Sequence, residues 1–203
     1  VSEPDGPDRA TNARYQEYVR AAIRIFSVKG YTGTTLADIG AEAHVSQPRI
    51  SQVFGTKENA FLEAHRAALH NLAPCLATLA QPSFDAGRIG QAYPDLMTTH
   101  RAELMIVLQA FAAADCPAIG TEARAGMHEI IALLQSTGAG YPEIRDFLAR
   151  TFLVKIALAA DIGDHLEESA HFAPLLDSLH LPIPPSVDPG AAAIRPTHPD
   201  TRP

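Results

Sequence analysis

Apolar residues in the first third of the chain recur at helical spacing. Between Arg9 and Lys29 they fall at Tyr15, Val19, Ala22, Ile23 and Phe26, the single stripe of an amphipathic helix. Gly30 follows, suited to the left-handed position just past a helix end, and Lys29 in the last turn complements the helix dipole. A second helix is predicted through Leu36, Ile39 and Ala43. Thr35 can cap it, and Asp38 can reach back to complete a capping box. His44-Val45-Ser46 breaks the pattern. Ser46 is a second N-cap, and Pro48 falls in the first turn of a third helix, where a missing N–H costs little. Ile50, Val53 and Phe54 give that helix its apolar side, and Gly55 ends it. Thr56 caps a fourth helix that begins Lys57-Glu58 and carries Phe61, Leu62, Leu69 and Leu72.

Beyond Pro74 the helical character continues, over residues 86–92, 94–113, 118–136, 142–162 and a shorter stretch near 167–179. Pro82, Tyr93-Pro94, Cys116-Pro117, Gly138-Ala139-Gly140 and Gly163 interrupt it. Strand-like alternation is not sustained anywhere, and no internal repeat is present. The expected fold is all-α. Residues 1–8 read as a disordered arm, 9–56 as a first domain, 57–180 as a helical second domain, and 181–203 as a Pro-rich disordered tail.

Composition narrows the class. Of 203 residues, 46% are hydrophobic, enough to build a core. No apolar run approaches the roughly 18–20 residues that span a bilayer. The richest, Phe152 to Ala160, is short and contains Lys155. The acidic, polar start of the chain is unlike a secretory signal, so a cytoplasmic protein with no membrane partner is expected. Cys75 and Cys116 form no CxxC pair and read as small buried apolar residues. The net charge is −7, but it is unevenly spread. Residues 9–66 hold eight Lys/Arg and five Asp/Glu, a net +3, which leaves −10 for the rest. A basic head on an acidic body fits a small DNA-reading unit attached to a part that DNA avoids.

Two short helices joined by a tight turn meet the requirement of a helix-turn-helix. The second helix must lie in the major groove with its N-terminal residues at base edges. Ile39, Val45, Ile50 and Phe54 supply the buried positions. Gln47, Pro48, Arg49, Ser51 and Gln52 supply the exposed ones. Arg commonly reads guanine with two hydrogen bonds, and Gln can pair two edges of adenine. Thr34, Thr35 and Lys57 lie at or near helix starts, where hydroxyls, N–H groups and a cation can hold phosphates.

The stretch Phe26…Gly30-Tyr31…Thr34-Thr35…Asp38-Ile39…Val45-Ser46-Gln47-Pro48…Ile50…Phe54-Gly55-Thr56-Lys57-Glu58 resembles the N-terminal signature of the TetR family of bacterial repressors. It covers about a sixth of the chain, and it is long and gapless. The resemblance implies an all-α homodimer with a three-helix DNA-binding head and a ligand-binding, dimerising body. It implies base reading by Gln47, Pro48, Arg49 and Gln52, and phosphate contact by Thr35 and Lys57. Four positions depart from the family pattern. His44 stands where Gly is usual in the turn, and Gly40 where Ala is usual, which should weaken the second helix slightly. Ser51 replaces an aromatic that can touch phosphate, and Val53 replaces His or Tyr.

The body resembles the family by arrangement more than by sequence. Phe147 to Gly163 looks like the helix that pairs with its twofold copy in many members. Its apolar positions Phe147, Leu148, Phe152, Leu153, Ile156 and Ala160 cover more than one face, and an ordinary core helix is the alternative. A small-molecule cavity is expected among residues 57–136. Phe61, His65, Leu69, Met97, Met105, Leu108, Phe111, Met127, His128 and Ile131 are candidate linings, although Met and aromatic residues at helical spacing also simply pack cores.

An enzyme is not expected, because no GxSxG, P-loop, GxGxxG or HExxH motif occurs, and no cofactor is implied. Nine histidines are many, but His65 with His70 and His165 with His171 lack the i, i+4 spacing of helical metal ligands. No metal site is assigned; a metal-responsive regulator stays open, as does an activator of the same fold. The partners expected are an operator duplex, a second copy of the chain and a small-molecule effector.

Overall fold

The computed structural model describes residues 7–80, 96–165, 168 and 171–174. Seven helices form it: α1 (Pro7–Gly33), α2 (Leu36–Glu42), α3 (Gln47–Phe54), α4 (Lys57–Ala80), α5 (Arg101–Ala112), α6 (Pro117–Ser136) and α7 (Tyr141–Ala159). A helical turn at 96–99 precedes α5, and a 3₁₀ turn (Ile162–Asp164) follows α7. Among the described residues there is no strand, and no helix is long and apolar enough to cross a membrane. Residues 1–6 of the arm, all of 86–92, most of 167–179 and the Pro-rich tail lie outside the described residues; Pro7 and Asp8, expected in a disordered arm, instead open α1.

α1 buries a wider face than its predicted stripe. Tyr18, Ala21 and Ile25 join Val19, Ala22, Ile23 and Phe26 in the core. The reason is that α1 packs against both α4 and α5, so two adjoining sides leave water. Phe26 is fully buried and meets Phe61 of α4 edge-on at 5.0 Å. At Gly30 the backbone takes φ 68 and ψ 177, a region open essentially to glycine alone. The kink lets one more turn run to Gly33 before the chain enters α2.

Two cores result. One joins α1, α2, α3 and the start of α4, and takes in Ile106 and Ala110 of α5 and Ile119 and Ala123 of α6. The other lies in the body, built by Leu72, Leu104, Met105, Val107, Leu134, Ile144, Phe147, Val154 and Leu158. α5 is thus shared, with one side in each core. α4 runs on through Pro74 to Ala80, past Leu72 where its predicted apolar residues end. Pro74 is exposed, so the helix loses one hydrogen bond there without burying an unpaired group. α7 ends earlier than predicted, at Ala159. Asp161 turns left-handed at φ 49, and Arg101 holds the end of α7, donating to the Leu158 carbonyl at 2.7 Å and to Asp161 at 2.9 Å.

Candidate DNA-reading head and effector cavity

The start of α2 is held as a capping box. The Thr35 hydroxyl accepts from the Asp38 N–H at 3.2 Å, and the Asp38 carboxylate accepts from the Thr35 N–H at 2.8 Å. Lys29 Nζ donates to the same carboxylate at 2.7 Å and ties α1 to α2. Burial alone would raise the Asp38 pKa; the hydrogen bonds from Lys29 and Thr35 outweigh it and hold the carboxyl below its ordinary range. Arg24 pairs with Glu42 at the other end of α2.

The turn into α3 is a Schellman motif. The Val45 N–H donates to the Gly40 carbonyl at 2.9 Å, and the His44 N–H to the Ala41 carbonyl at 3.2 Å. His44 holds the left-handed position at φ 55, as expected where glycine is usual. Gly40 has a different role from the one read from its helix propensity. A Cβ there would lie 2.8 Å from the Val45 carbonyl oxygen and 3.3 Å from the Gln47 nitrogen. The returning chain passes so close to α2 that only a hydrogen fits. Ser46 takes the N-cap place of α3 with extended backbone, but its side chain makes no capping bond, in contrast to the expectation. Pro48 falls in the first turn, as predicted.

α3 divides cleanly. Ile50 and Phe54 are buried, with Val45 and Val53 packed against the same core. Gln47, Pro48, Arg49 and Gln52 are exposed, and Ser51 is half-buried. Arg49 forms no ion pair among the described residues. Its guanidinium reaches Gln52 Oε1 at 3.5 Å and lies 6.0 Å from the Tyr18 ring. Thr35 is exposed at the start of α2. Thr34 is only 1% exposed, and its hydroxyl donates to the Gly30 carbonyl at 2.7 Å. Lys57 Nζ donates to the Tyr31 carbonyl at 3.0 Å, reaches Thr32 O at 3.5 Å and sits 4.5 Å from the Tyr31 ring centroid. It therefore neutralises the carbonyl end of α1 as well as standing at the start of α4.

The head is fastened to the body at several points. Tyr15 of α1 donates to Glu63 at 2.7 Å; burial, then the carboxylate, pushes its pKa up to about 12. Arg66 of α4 grips Glu122 of α6 with two bonds of 3.0 and 2.7 Å. The cysteines are half-buried rather than buried. Cys116 donates to Glu58 at 3.0 Å, and Cys75 lies 3.6 Å from His100 Nε2.

A cavity of about 570 Å³, its open mouth included, lies between α4, α5, α6 and α7. Leu69, Leu72 and Leu104 wall it, with Phe111, Phe147 and Phe152 as its aromatic surface. Of the candidate lining residues, His65, Leu69, Phe111 and Met127 face it. Phe61 packs in the head-side core, and Met97 and Met105 in the body core. Leu108 and Ile131 pack against the body core, and His128 is exposed. Three polar side chains sit in the lining: His65, Thr151 and Lys155. All three are at most 7% exposed. His65 Nδ1 has no hydrogen-bond partner among the described residues and stands 4.0 Å from Glu122. Burial lowers the His65 pKa, partly offset by Glu122, so the ring is neutral at pH 7.

Residues 19–64 match the sequence model of the bacterial regulatory proteins of the tetR family. This stretch is a DNA-binding head of the TetR kind. The matched stretch holds the second half of α1, all of α2 and α3, and the first turns of α4. A match confined to these residues identifies a DNA-binding domain. No curated protein matches. Two solved structures share the fold. One is a protein from Shewanella sp. PV-4 assigned to the tetR family, with 19% identity and a TM-score of 0.53 over 82% of this chain and 95% of that one. The other is the multidrug binding protein EbrR complexed with imidazole, with 23% identity and a TM-score of 0.51 over 86% and 98%.

In the cavity lining, sequence reasoning passed over Thr151 and Lys155. The signal for Lys155 was present, a lone cation inside the apolar run Phe152 to Ala160. α7 also presents Ile156, 53% exposed, with Ala159 and Ala160 on its outer side, while Phe147 and Val154 point inward.

Proposed function

We propose that the protein is a homodimeric repressor that leaves a quasi-palindromic operator when a small molecule enters the body cavity. The observation that carries the reading is the division of α3. Ile50 and Phe54 anchor it in the core while Gln47, Pro48, Arg49 and Gln52 stand free at its front. On this reading Arg49, Gln47 and Gln52 read base edges, Pro48 touches a thymine methyl, and Thr35, Ser51 and Lys57 meet phosphates. Thr34 supports from within by closing the end of α1. The exposed apolar side of α7, with Ile156, Ala159 and Ala160, supports pairing of two copies through that helix. Such a dimer would set two heads about 34–36 Å apart in successive major grooves. Access to DNA requires a cytoplasmic location.

α5 supplies the coupling. Ile106 and Ala110 pack in the head core, Leu104, Val107 and Phe111 line the cavity, and the Gln109 side chain lies against Gly30. An effector that binds better to a conformer with α5 displaced carries α1 with it and alters the spacing of the heads. The population then shifts away from DNA by the ratio of its two affinities. Selection of bound duplexes from a random pool tests the reading. Enrichment of two inverted half-sites about one helical turn apart supports it. Enrichment of nothing, or of a single unpaired site, overturns it.

A further inference from the structure

The body cavity has an electrostatic character that the proposed function leaves open. Among the described residues its lining contains one ammonium group, Lys155, and no carboxylate. Lys155 is 7% exposed and makes neither an ion pair nor a hydrogen bond with any described residue; its Nζ only faces the Phe152 ring at 4.8 Å. Thr151, one helical turn earlier on the same face, donates its hydroxyl to the Leu148 carbonyl at 3.1 Å. Glu122, 4.0 Å from His65 Nδ1, is not part of the lining and pairs with Arg66. Buried cations without a counter-charge are costly and uncommon, so an incoming anion would gain a partner here. The other walls are aliphatic and aromatic.

We propose that the effector is an apolar monoanion, an aliphatic or aromatic carboxylic acid, whose carboxylate pairs with Lys155 while its hydrocarbon part fills the space among Leu69, Leu72, Phe111 and Phe147. The neutral imidazole of His65, on the α4 wall, adds a polar group without adding charge. An organic cation of the same shape finds a like charge and no acid among the described lining residues. The inference rests on the reading of this cavity as the effector site, and it adds the chemical class.

Calorimetric titration of the full chain with octanoate, octanamide and octylammonium tests it. The three probes share an apolar tail and differ in charge. Wild type should bind octanoate about 10-fold to 100-fold more tightly than octanamide, the range of a charge-assisted hydrogen bond, and octylammonium most weakly. Lys155→Met should bring octanoate and octanamide to equal affinity, and Lys155→Arg should keep the preference. The wild-type series stands by itself even if a variant folds badly. Equal binding of all three probes overturns the anion assignment and leaves the effector cavity in place. Failure of all three to bind overturns both. Neither result touches operator recognition, which is read separately by DNA selection.

Discussion

Replacing Lys155 by Met should stabilise the unliganded protein, and the gain should depend on pH in a fixed direction. The side chain lies in the cavity wall at 7% exposure without a counter-ion among the described residues, and burial lowers its pKa from an ordinary 10.5 to about 8. Every tenfold loss of proton affinity corresponds to about 1.4 kcal/mol, so holding the ammonium in this place costs about 3 kcal/mol at neutral pH. The ring of Phe152 returns part of this to the folded state, about 0.5–2 kcal/mol when desolvated. Lys155→Met removes both effects and keeps similar volume, for a net gain of about 1–3 kcal/mol at pH 7. The sign with pH follows from proton counting. Between pH 8 and 10.5 the unfolded chain holds a proton on Lys155 that the folded chain has released, so wild-type stability rises with pH across that window. The advantage of the variant should therefore shrink from about pH 8 towards about pH 10. Urea unfolding of both proteins at several pH values from neutral to about pH 10 measures it, and taking the difference cancels the tyrosines and cysteines that titrate in the same range. A variant less stable than wild type at neutral pH, or a difference that is flat with pH, would refute the account of Lys155 as an uncompensated buried cation.

The turn of the head makes two further predictions of opposite sign. His44→Gly should stabilise by about 0.5–1 kcal/mol, because it relieves a left-handed non-glycine residue at some entropic cost. Gly40→Ala should destabilise by about 1–2 kcal/mol in spite of its better helix propensity, since the new Cβ meets the Val45 carbonyl oxygen 2.8 Å away; thermal or urea unfolding reads both, and a stabilised Gly40→Ala variant would contradict the close approach. Arg49→Ala should weaken operator binding by about 1–3 kcal/mol and relax preference at one base position, measured as affinities across single-base operator variants. Lys57→Ala should weaken binding to all sequences alike and lower the salt slope by about one. It should also cost stability, because the Tyr31 carbonyl loses its cationic partner.

Much of the head could be read from local residue chemistry. The Thr35–Asp38 capping box, Pro48 in a first turn, the burial of Ile39, Ile50 and Phe54, and the left-handed His44 all depend on residues within a few positions of one another. Periodicity and backbone sterics carry that information without reference to the rest of the chain. Thr34 and Lys57 show where local reading stops. Both stand near helix starts, but the hydroxyl of Thr34 turns inward to Gly30, and the amine of Lys57 reaches back 26 residues to Tyr31. Their surroundings depend on how the turn after Gly30 folds back, which Gly30 marks but does not direct.

The sequence by itself determined the all-α class, the helix-turn-helix and the exposed front of α3, because a helix this short is defined by its apolar side and by the Pro48 and Gly55 that bound it. Tertiary structure alone decided three things. It gave Gly40 a steric role in place of a propensity cost, since the clash is with the Val45 carbonyl that the turn brings back. It chose His65, Leu69, Phe111 and Met127 for the cavity wall and sent Phe61, Met97 and Met105 into the cores, because four helices must pack before inward and cavity-facing sides differ. And it turned Lys155 from an interruption of an apolar run into the lone ammonium among the described residues of that cavity, since the burial of a charge depends on neighbours from other helices, distant in sequence.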